Sequence, residues 1–250
     1  MVLQNKTILI TGASSGIGAA AARMFAEEGA NLVLAARRKD RLEAVRDALH
    51  EATGRVVVFS GDISDPGFSE ASVNVALETF GQLDGAFNNA GMPGEMGPLA
   101  EMDLQSWNEV ISTNLTSAFL AARYQIPAMA KSGGGSIVFT SSFVGHTIGL
   151  PGMAAYAASK AGLIGLTQVI AVECGPQNIR VNALLPGGTK TEMAGDDPAF
   201  HEHVANLHAL KRMAEPEEIA EAARFLLSDA GSFVTGSAML CDGGNSITKA

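Results

Sequence analysis

The stretch KTILITGASSGIG, residues 6–18, decides how the rest of the chain is read. A short run rich in β-branched and apolar residues (6–10) passes directly into a glycine-rich turn (11–18), and the turn opens an alanine-rich helical stretch, GAAAARMFAEEG. Glycine permits a sharp turn and lets backbone approach an anion closely, and the free N–H groups of a helix start attract that anion. Strand, glycine turn and helix in this order make a pyrophosphate site of the dinucleotide type. The spacing is G-x-x-x-G-x-G and not the common G-x-G-x-x-G, so by itself the stretch is also compatible with a plain glycine-rich turn. Its place between the first strand and the first helix favours the nucleotide reading, with Gly12, Ser14, Ser15, Gly16, Ile17 and Gly18 forming the loop.

Outward from this unit the same alternation continues. Runs at 31–36 (NLVLAA), 55–60 (RVVVFS), 83–87 (LDGAF), 136–141 (SIVFTS), 179–185 (IRVNALL) and 237–241 (SAMLC) read as further strands. Several are apolar throughout, the pattern of strands covered on both faces. Between them lie helical periods, such as 40–52 with Leu42, Val45, Leu49 and Ala52, and 216–228, which opens with Pro-Glu-Glu. The class is α/β: a doubly wound, seven-stranded parallel sheet with helices on both faces, in one domain spanning 1–250. Residues 191–212 are polar and weakly periodic, and are expected to form a mobile loop with a short helix over the substrate.

Composition narrows the function. Of 250 residues, 47% are apolar and 17% charged, which excludes disorder and leaves ample material for a core. A formal charge of -9 argues against a nucleic-acid partner. The two cysteines, Cys174 and Cys241, offer neither a disulfide framework nor a metal site, and suit a reducing cytoplasm. The longest apolar stretch, 153–174, carries Lys160, Gln168 and Glu173, so it is read as a buried helix and not a membrane span. His201, His203 and His208 stand close in sequence, but without cysteine or an ordered carboxylate shell no metal is expected.

The second strand ends in AARRKDR (35–41). In dinucleotide folds an acidic side chain about 20 residues past the glycines meets the ribose 2′-hydroxyl. Here that position is Ala36, followed by Arg37 and Arg38. A carboxylate would repel a 2′-phosphate, whereas an arginine fork matches its geometry, each contact at 4 Å contributing roughly 1 kcal/mol in water. The plainer alternative is a solvated charge cluster, yet positive charge at a helix start opposes the helix dipole, and a bound phosphate relieves that conflict. NADP(H) is therefore favoured over NAD(H), with Arg37 the main contact and Arg38 assisting.

Tyr156-Ala-Ala-Ser-Lys160 puts a phenol and an ammonium at i and i+4 on one helical face. An isolated tyrosine titrates near about 10, and a neighbouring cation favours the phenolate. A snorkelling lysine explains the spacing equally well. Upstream, Ser141 and Ser142 close a strand at the carboxyl edge, where ligands bind and where a serine can share in stabilising a carbonyl oxygen.

Together these motifs resemble the short-chain dehydrogenase/reductase family over nearly the whole chain. TGASSGIG resembles its cofactor loop, NNAG (88–91) its motif after the fourth strand, and YAASK its Tyr-x-x-x-Lys. Asp62-Ile63, Asn114 in STNL, PGGTKT (186–191) and DGG (242–244) fall in the matching order. The resemblance implies a Rossmann-type fold and a catalytic set of Asn114, Ser142, Tyr156 and Lys160. Ser142 is preferred to Ser141 because it stands 14 residues before Tyr156. In these terms Tyr156 gives or takes the proton, Ser142 orients the carbonyl, Lys160 binds ribose and lowers the phenol pKa, and Asn114 completes a relay through water. Asp62 and Ile63 contact adenine, Asn89, Ala90 and Gly91 line the cleft, and Pro186, Gly187, Thr189 and Thr191 face the nicotinamide. Two departures stand out: the family's R-x-G-x-P reads Arg212-Met-Ala-Glu-Pro216, and the basic residue that many NADP-type members carry in the loop is Ser15.

The function expected is an NADP(H)-dependent interconversion of a ketone or aldehyde with an alcohol, in a homotetramer whose contacts involve the 154–171 helix and the last strand. An NAD(H)-dependent alcohol dehydrogenase of the same family and a non-catalytic NADP sensor are the alternatives. His146, Leu150, Met153 and Met193 are the residues expected near a partly apolar small-molecule substrate.

Overall fold

The computed structural model describes residues 1–49 and 54–248. Strands β1 (Thr7–Thr11), β2 (Asn31–Ala36), β3 (Val56–Ser60), β4 (Gly85–Asn88), β5 (Gly135–Thr140), β6 (Ile179–Pro186) and β7 (Ala238–Cys241) form one sheet. Every pairing is parallel, in the order β3-β2-β1-β4-β5-β6-β7. All seven expected strands are present, with ends displaced by no more than two residues.

The side-chain alternation of the strands explains why several of them are apolar on successive residues. Ile8, Ile10, Leu32 and Leu34 enter one core beneath α1 (Gly16–Glu27), α2 (Lys39–Asp47) and α8 (Pro216–Leu227). Their neighbours Leu9, Val33 and Ala35 enter a second core beneath α3 (Phe68–Phe80), α5 (Ser117–Lys131) and α6 (Ala154–Cys174). The sheet is thus covered on both faces, as the runs without alternation required. Strand order reverses between β1 and β4, which places the ligand crevice at the carboxyl ends of these two strands.

Three elements bear on the expectations or on the site. The helix expected over 40–52 is α2; Leu42 and Leu49 are buried, and Ala52 lies outside the described residues. The segment 191–212 holds the short helix expected there. It contains α7 (Pro198–Leu207), started by Pro198 and by the Asp197 carboxylate, which accepts from the Ala199 N–H at 2.9 Å. Finally, α4 (Leu104–Ile111) runs into α5 through a π-helical turn, Ser112–Thr116, which carries Asn114. Such wide turns frequently mark functional positions.

Helix α6 has the length and apolarity of a membrane-crossing segment. The helix packs on β6 and buries Ser159, Lys160, Leu163, Thr167 and Ile170, while Val169 and Val172 are exposed.

Candidate active site

The cradle at the end of β1 is built by backbone that only glycine adopts readily. Gly12 and Gly16 have φ of +69° and +52°. At Gly18 a Cβ would stand 2.3 Å from the Gly12 carbonyl oxygen, so α1 can begin this close to β1 only with glycine there. Ser15 caps α1 without a side-chain hydrogen bond, leaving the first amides of a 12-residue helix without an acceptor from that hydroxyl. A pyrophosphate fits this donor set.

Thr11, the last residue of β1, ties the cradle to the chain leaving β4. Its hydroxyl oxygen accepts from the N–H groups of Asn89 and Ala90, each at 3.1 Å. The Thr140 hydroxyl at the end of β5 donates to Asn89 Oδ1 at 3.2 Å. A Cβ on Gly91 would lie 3.1 Å from Asn114 Oδ1 and 3.4 Å from Lys160 Nζ, so the NNAG turn reaches the lysine. Neither threonine was singled out as a functional residue from the sequence. The available signal was their shared position as the last residue of a central parallel strand.

Beyond β5 the two serines separate in role. The Ser141 hydroxyl donates to the Lys160 carbonyl at 2.7 Å and is spent on anchoring α6. Ser142, also buried, accepts from the Val144 N–H at 3.1 Å and presents its hydroxyl to the Tyr156 phenol. Lys160 Nζ donates to the Thr140 carbonyl at 2.6 Å and lies 5.5 Å from the Tyr156 ring centroid. The structure therefore brings Ser142, Tyr156 and Lys160 together.

Electrostatics in this cluster run against one expectation. Burial pushes the Tyr156 phenol above its ordinary range, and the Ser142 hydrogen bond offsets this only in part. Burial alone brings Lys160 down to about 8. Among the chain's own groups the lysine does not overcome the desolvation of the phenol, because its ammonium is directed at the Thr140 carbonyl and not at the phenol oxygen. Asn114 is buried, and its side-chain amide is committed. Nδ2 donates to the Met92 carbonyl at 2.9 Å and to Ser159 Oγ at 3.1 Å, and Oδ1 accepts from the Met92 N–H at 2.9 Å.

At the end of β2 the arginines are placed differently from their expected ranking. Arg37 projects outward, its side chain 80% exposed and 3.8 Å from Asp62. Asp62 is held below the ordinary carboxylate range by hydrogen bonds from the Ser64 N–H and hydroxyl, with a smaller contribution from Arg37. Arg38 instead folds over the glycine loop, donating to Ser15 Oγ at 2.9 Å and Ser14 Oγ at 3.2 Å. Its other nitrogen meets Glu192 at 2.9 Å, and Arg41 pairs with the same carboxylate. Glu192 escaped sequence reasoning because it is distant from the arginines in the chain.

The segment after β6 closes over the loop. Thr191 Cγ2 would be 3.0 Å from a Cβ on Gly16. Gly188, Thr189 and Lys190 are fixed by pairing with Ala214, and Thr189 Oγ1 donates to the Gly187 carbonyl at 3.0 Å. Buried His208 accepts from the Gly188 N–H at 3.0 Å through Nε2, while Nδ1 meets the Val204 carbonyl at 2.7 Å. His201 contacts the Gly195 carbonyl. Among the described residues no cluster of three or more potential ligands could hold a metal ion.

Of the residues expected near substrate, Met153 caps α6 one turn before Tyr156. His146, Leu150 and Met193 are exposed, and so are Met96 and Leu99 in the segment after β4.

Residues 12–246 match the family model described as enoyl-(acyl carrier protein) reductase. The chain is 38% identical to the cyclohexanol dehydrogenase of Acinetobacter sp. (strain SE19), over 96% of this chain and 94% of that protein. It is 42% identical to the A-factor type gamma-butyrolactone 1'-reductase (1S-forming) of Streptomyces virginiae, over 98% of this chain and 97% of the relative. Its fold superposes on carveol dehydrogenase from Mycobacterium avium in complex with NAD with a TM-score of 0.94, at 29% identity, covering 99% of both chains. By these matches and by its fold, the chain belongs to the short-chain dehydrogenase/reductase family.

Proposed function

We propose that the protein is an NADP(H)-dependent oxidoreductase that interconverts a ketone or aldehyde with the corresponding alcohol. The observation that carries the reading is the buried Ser142 hydroxyl facing the Tyr156 phenol, with the Lys160 ammonium fixed by Thr140 beneath the ring. A protein that merely senses nucleotide has no use for a phenol and a hydroxyl directed at one another beside a desolvated ammonium.

A nicotinamide bound by the cradle supplies or accepts the hydride. In reduction the Tyr156 hydroxyl gives its proton to the carbonyl oxygen, and the Ser142 hydroxyl donates a second hydrogen bond to that oxygen. In oxidation the phenolate takes the proton back. Lys160, kept in place by the Thr140 carbonyl, supplies positive potential under the phenol and a donor for a ribose hydroxyl. Because the Asn114 side chain is committed to Met92 and Ser159, its part in moving protons falls to its main chain within the π turn.

Gly12, Ser14, Ser15, Gly16, Ile17 and Gly18 hold the pyrophosphate, Asp62 and Ile63 the adenine, Asn89, Ala90 and Gly91 the cleft wall, and Pro186, Gly187, Thr189 and Thr191 the carboxamide. The absence of an acid at Ala36 and the placement of Arg38 support NADP(H). The NAD of carveol dehydrogenase and the carboxylate of Glu192 against Arg38 favour NAD(H) as the second reading. The alicyclic alcohol in one relative's name and exposed Met96, Leu99, Leu150 and Met193 support a partly apolar substrate, with His146 and Met153 beside it. Exposed Val169 and Val172 on α6 and Leu240 on β7 support the homotetramer, and free Cys174 and Cys241 suit the cytoplasm.

The test is a panel of cyclic and linear ketones followed by NADPH and NADH consumption in parallel, with wild type and Tyr156→Phe. Turnover with a preference for NADPH is expected, and the variant should lose about 10²–10⁴-fold in rate. An unchanged rate in Tyr156→Phe overturns the mechanism, and equal use of both cofactors overturns the NADP(H) preference.

A further inference from the structure

We propose that Glu192 is a cofactor-specificity residue: its carboxylate takes the guanidinium donors of Arg38 and Arg41 that a 2′-phosphate would use, and so weakens NADP(H) relative to NAD(H). The inference rests on the proposed cofactor site and concerns a residue outside the family motifs quoted above.

The geometry is specific. Glu192 follows Thr191, whose methyl group packs on the cofactor loop at Gly16. One carboxylate oxygen meets Arg38 Nη1 at 2.9 Å and the other meets Arg41 Nη1, so each arginine holds one oxygen. Arg38 Nη2 donates to the Ser14 and Ser15 hydroxyls. Two guanidinium groups on one carboxylate, one of them braced from its far nitrogen by the Ser14 and Ser15 hydroxyls, are donors of the kind a phosphate monoester uses. The arginine bonds hold the Glu192 carboxyl below its ordinary range, so it is ionised at neutral pH.

A ribose 2′-hydroxyl leaves this pairing intact. A 2′-phosphate must either displace the carboxylate or bind within a few ångströms of it. The arginines gain a phosphate only by giving up or sharing a carboxylate, which discounts the advantage that the sequence at positions 36–38 indicates. The sites are exposed, so the effect is moderate and screened by salt.

Calorimetric titration of 2′,5′-ADP and 5′-AMP into wild type and Glu192→Gln isolates the phosphate from the chemistry. The variant is expected to bind 2′,5′-ADP roughly fivefold more tightly, with 5′-AMP changed less than about twofold. The gain should shrink as salt is raised toward about 1 M. Melting curves of both proteins report folding, and glutamine keeps the side chain's length.

If wild type prefers 2′,5′-ADP and Glu192→Gln leaves that preference unchanged, the role of Glu192 is overturned while the NADP(H) reading stands. If wild type binds both nucleotides equally and the variant gains a preference for 2′,5′-ADP, Glu192 acts as proposed and the NADP(H) reading of the native chain is overturned. If neither protein distinguishes them, both fall.

Discussion

The Tyr156 cluster and the Arg38 cluster are both polar groups at the carboxyl edge of the sheet, yet they are held in opposite ways. Ser142 and Lys160 are 5% and 4% exposed, and each is fixed by a hydrogen bond to backbone. Arg38 and Glu192 have side chains 42% and 54% exposed and are held by each other. Inside the protein an unpaired polar group is costly, so partners are fully specified and geometry is set before any ligand arrives. At the surface water replaces any lost partner, so charges can exchange one anion for another at little cost. The first arrangement suits chemistry, which needs fixed distances; the second suits selection between ligands that differ by one phosphate.

The sharpest way to break this contrast is at Ser142. Ser142→Ala removes one of two donors to the substrate oxygen, and kcat is expected to fall about 10²–10³-fold. Ser141→Ala, which loses only an anchor to the Lys160 carbonyl, should act mainly on stability. If Ser141→Ala costs as much activity as Ser142→Ala, the separation of roles drawn from their bonds is wrong.

Lys160 tests whether burial serves function at the expense of stability. Its folded-state value of about 8 lies below the ordinary 10.5. The unfolded chain therefore binds the proton more tightly between these values. Folding is penalised below about pH 8, and the penalty is relieved as pH rises toward 10.5. At neutral pH it amounts to about 3 kcal/mol. Lys160→Met removes the charge at similar volume and leaves the Thr140 carbonyl without its donor. A net gain of about 1–3 kcal/mol at pH 7 is expected, with turnover lost and with a flatter stability profile between pH 8 and 10.5. Chemical denaturation of both proteins at pH 7 and 10 measures it. A less stable variant would mean that the hydrogen bond to Thr140 outweighs desolvation.

The same division separates what could be read in the sequence from what could not. The central strands β1, β2, β5 and β6 were legible because burial on both faces leaves little polar alternation to confuse them, and the partly exposed edge strands β3 and β7 because their runs are apolar and bounded by turns. The glycines at 12, 16 and 18 were legible because positive φ and close backbone approach tolerate little else. Tyr156 and Lys160 were legible because helical spacing alone puts them on one face. Ser142 was chosen over Ser141 by spacing, and the structure supplies the physical reason: the other hydroxyl is already spent. What stayed hidden depends on contacts across the chain. No local pattern told that Glu192 would meet Arg38, or that Arg37 and not Arg38 would point to solvent. The short helix expected within 191–212 is α7, and Asp197-Pro198 is the local signal that fixes its start. The phenol's upward shift was missed for a related reason. Spacing shows that the lysine is near, but not that its ammonium is directed at a carbonyl.

The smallest effect expected is also the most discriminating at the exposed cluster. Arg37 and Arg38 are adjacent in sequence, and a uniform field of positive charge would make them interchangeable. Their contacts make them unequal: Arg38 touches the loop serines, whereas Arg37 is 80% exposed beside Asp62. Arg38→Gln is expected to weaken NADPH roughly fivefold and NADH by less than about twofold, because only the former carries the phosphate. Arg37→Gln should change both by less than about twofold, since a long exposed side chain spends most of its charge on water. Dissociation constants from nucleotide fluorescence at low salt decide the matter. If Arg37→Gln carries the larger loss, the guanidinium must swing from Asp62 to the phosphate on binding, and the cluster selects its cofactor by movement and not by the placement seen at Ser14 and Ser15.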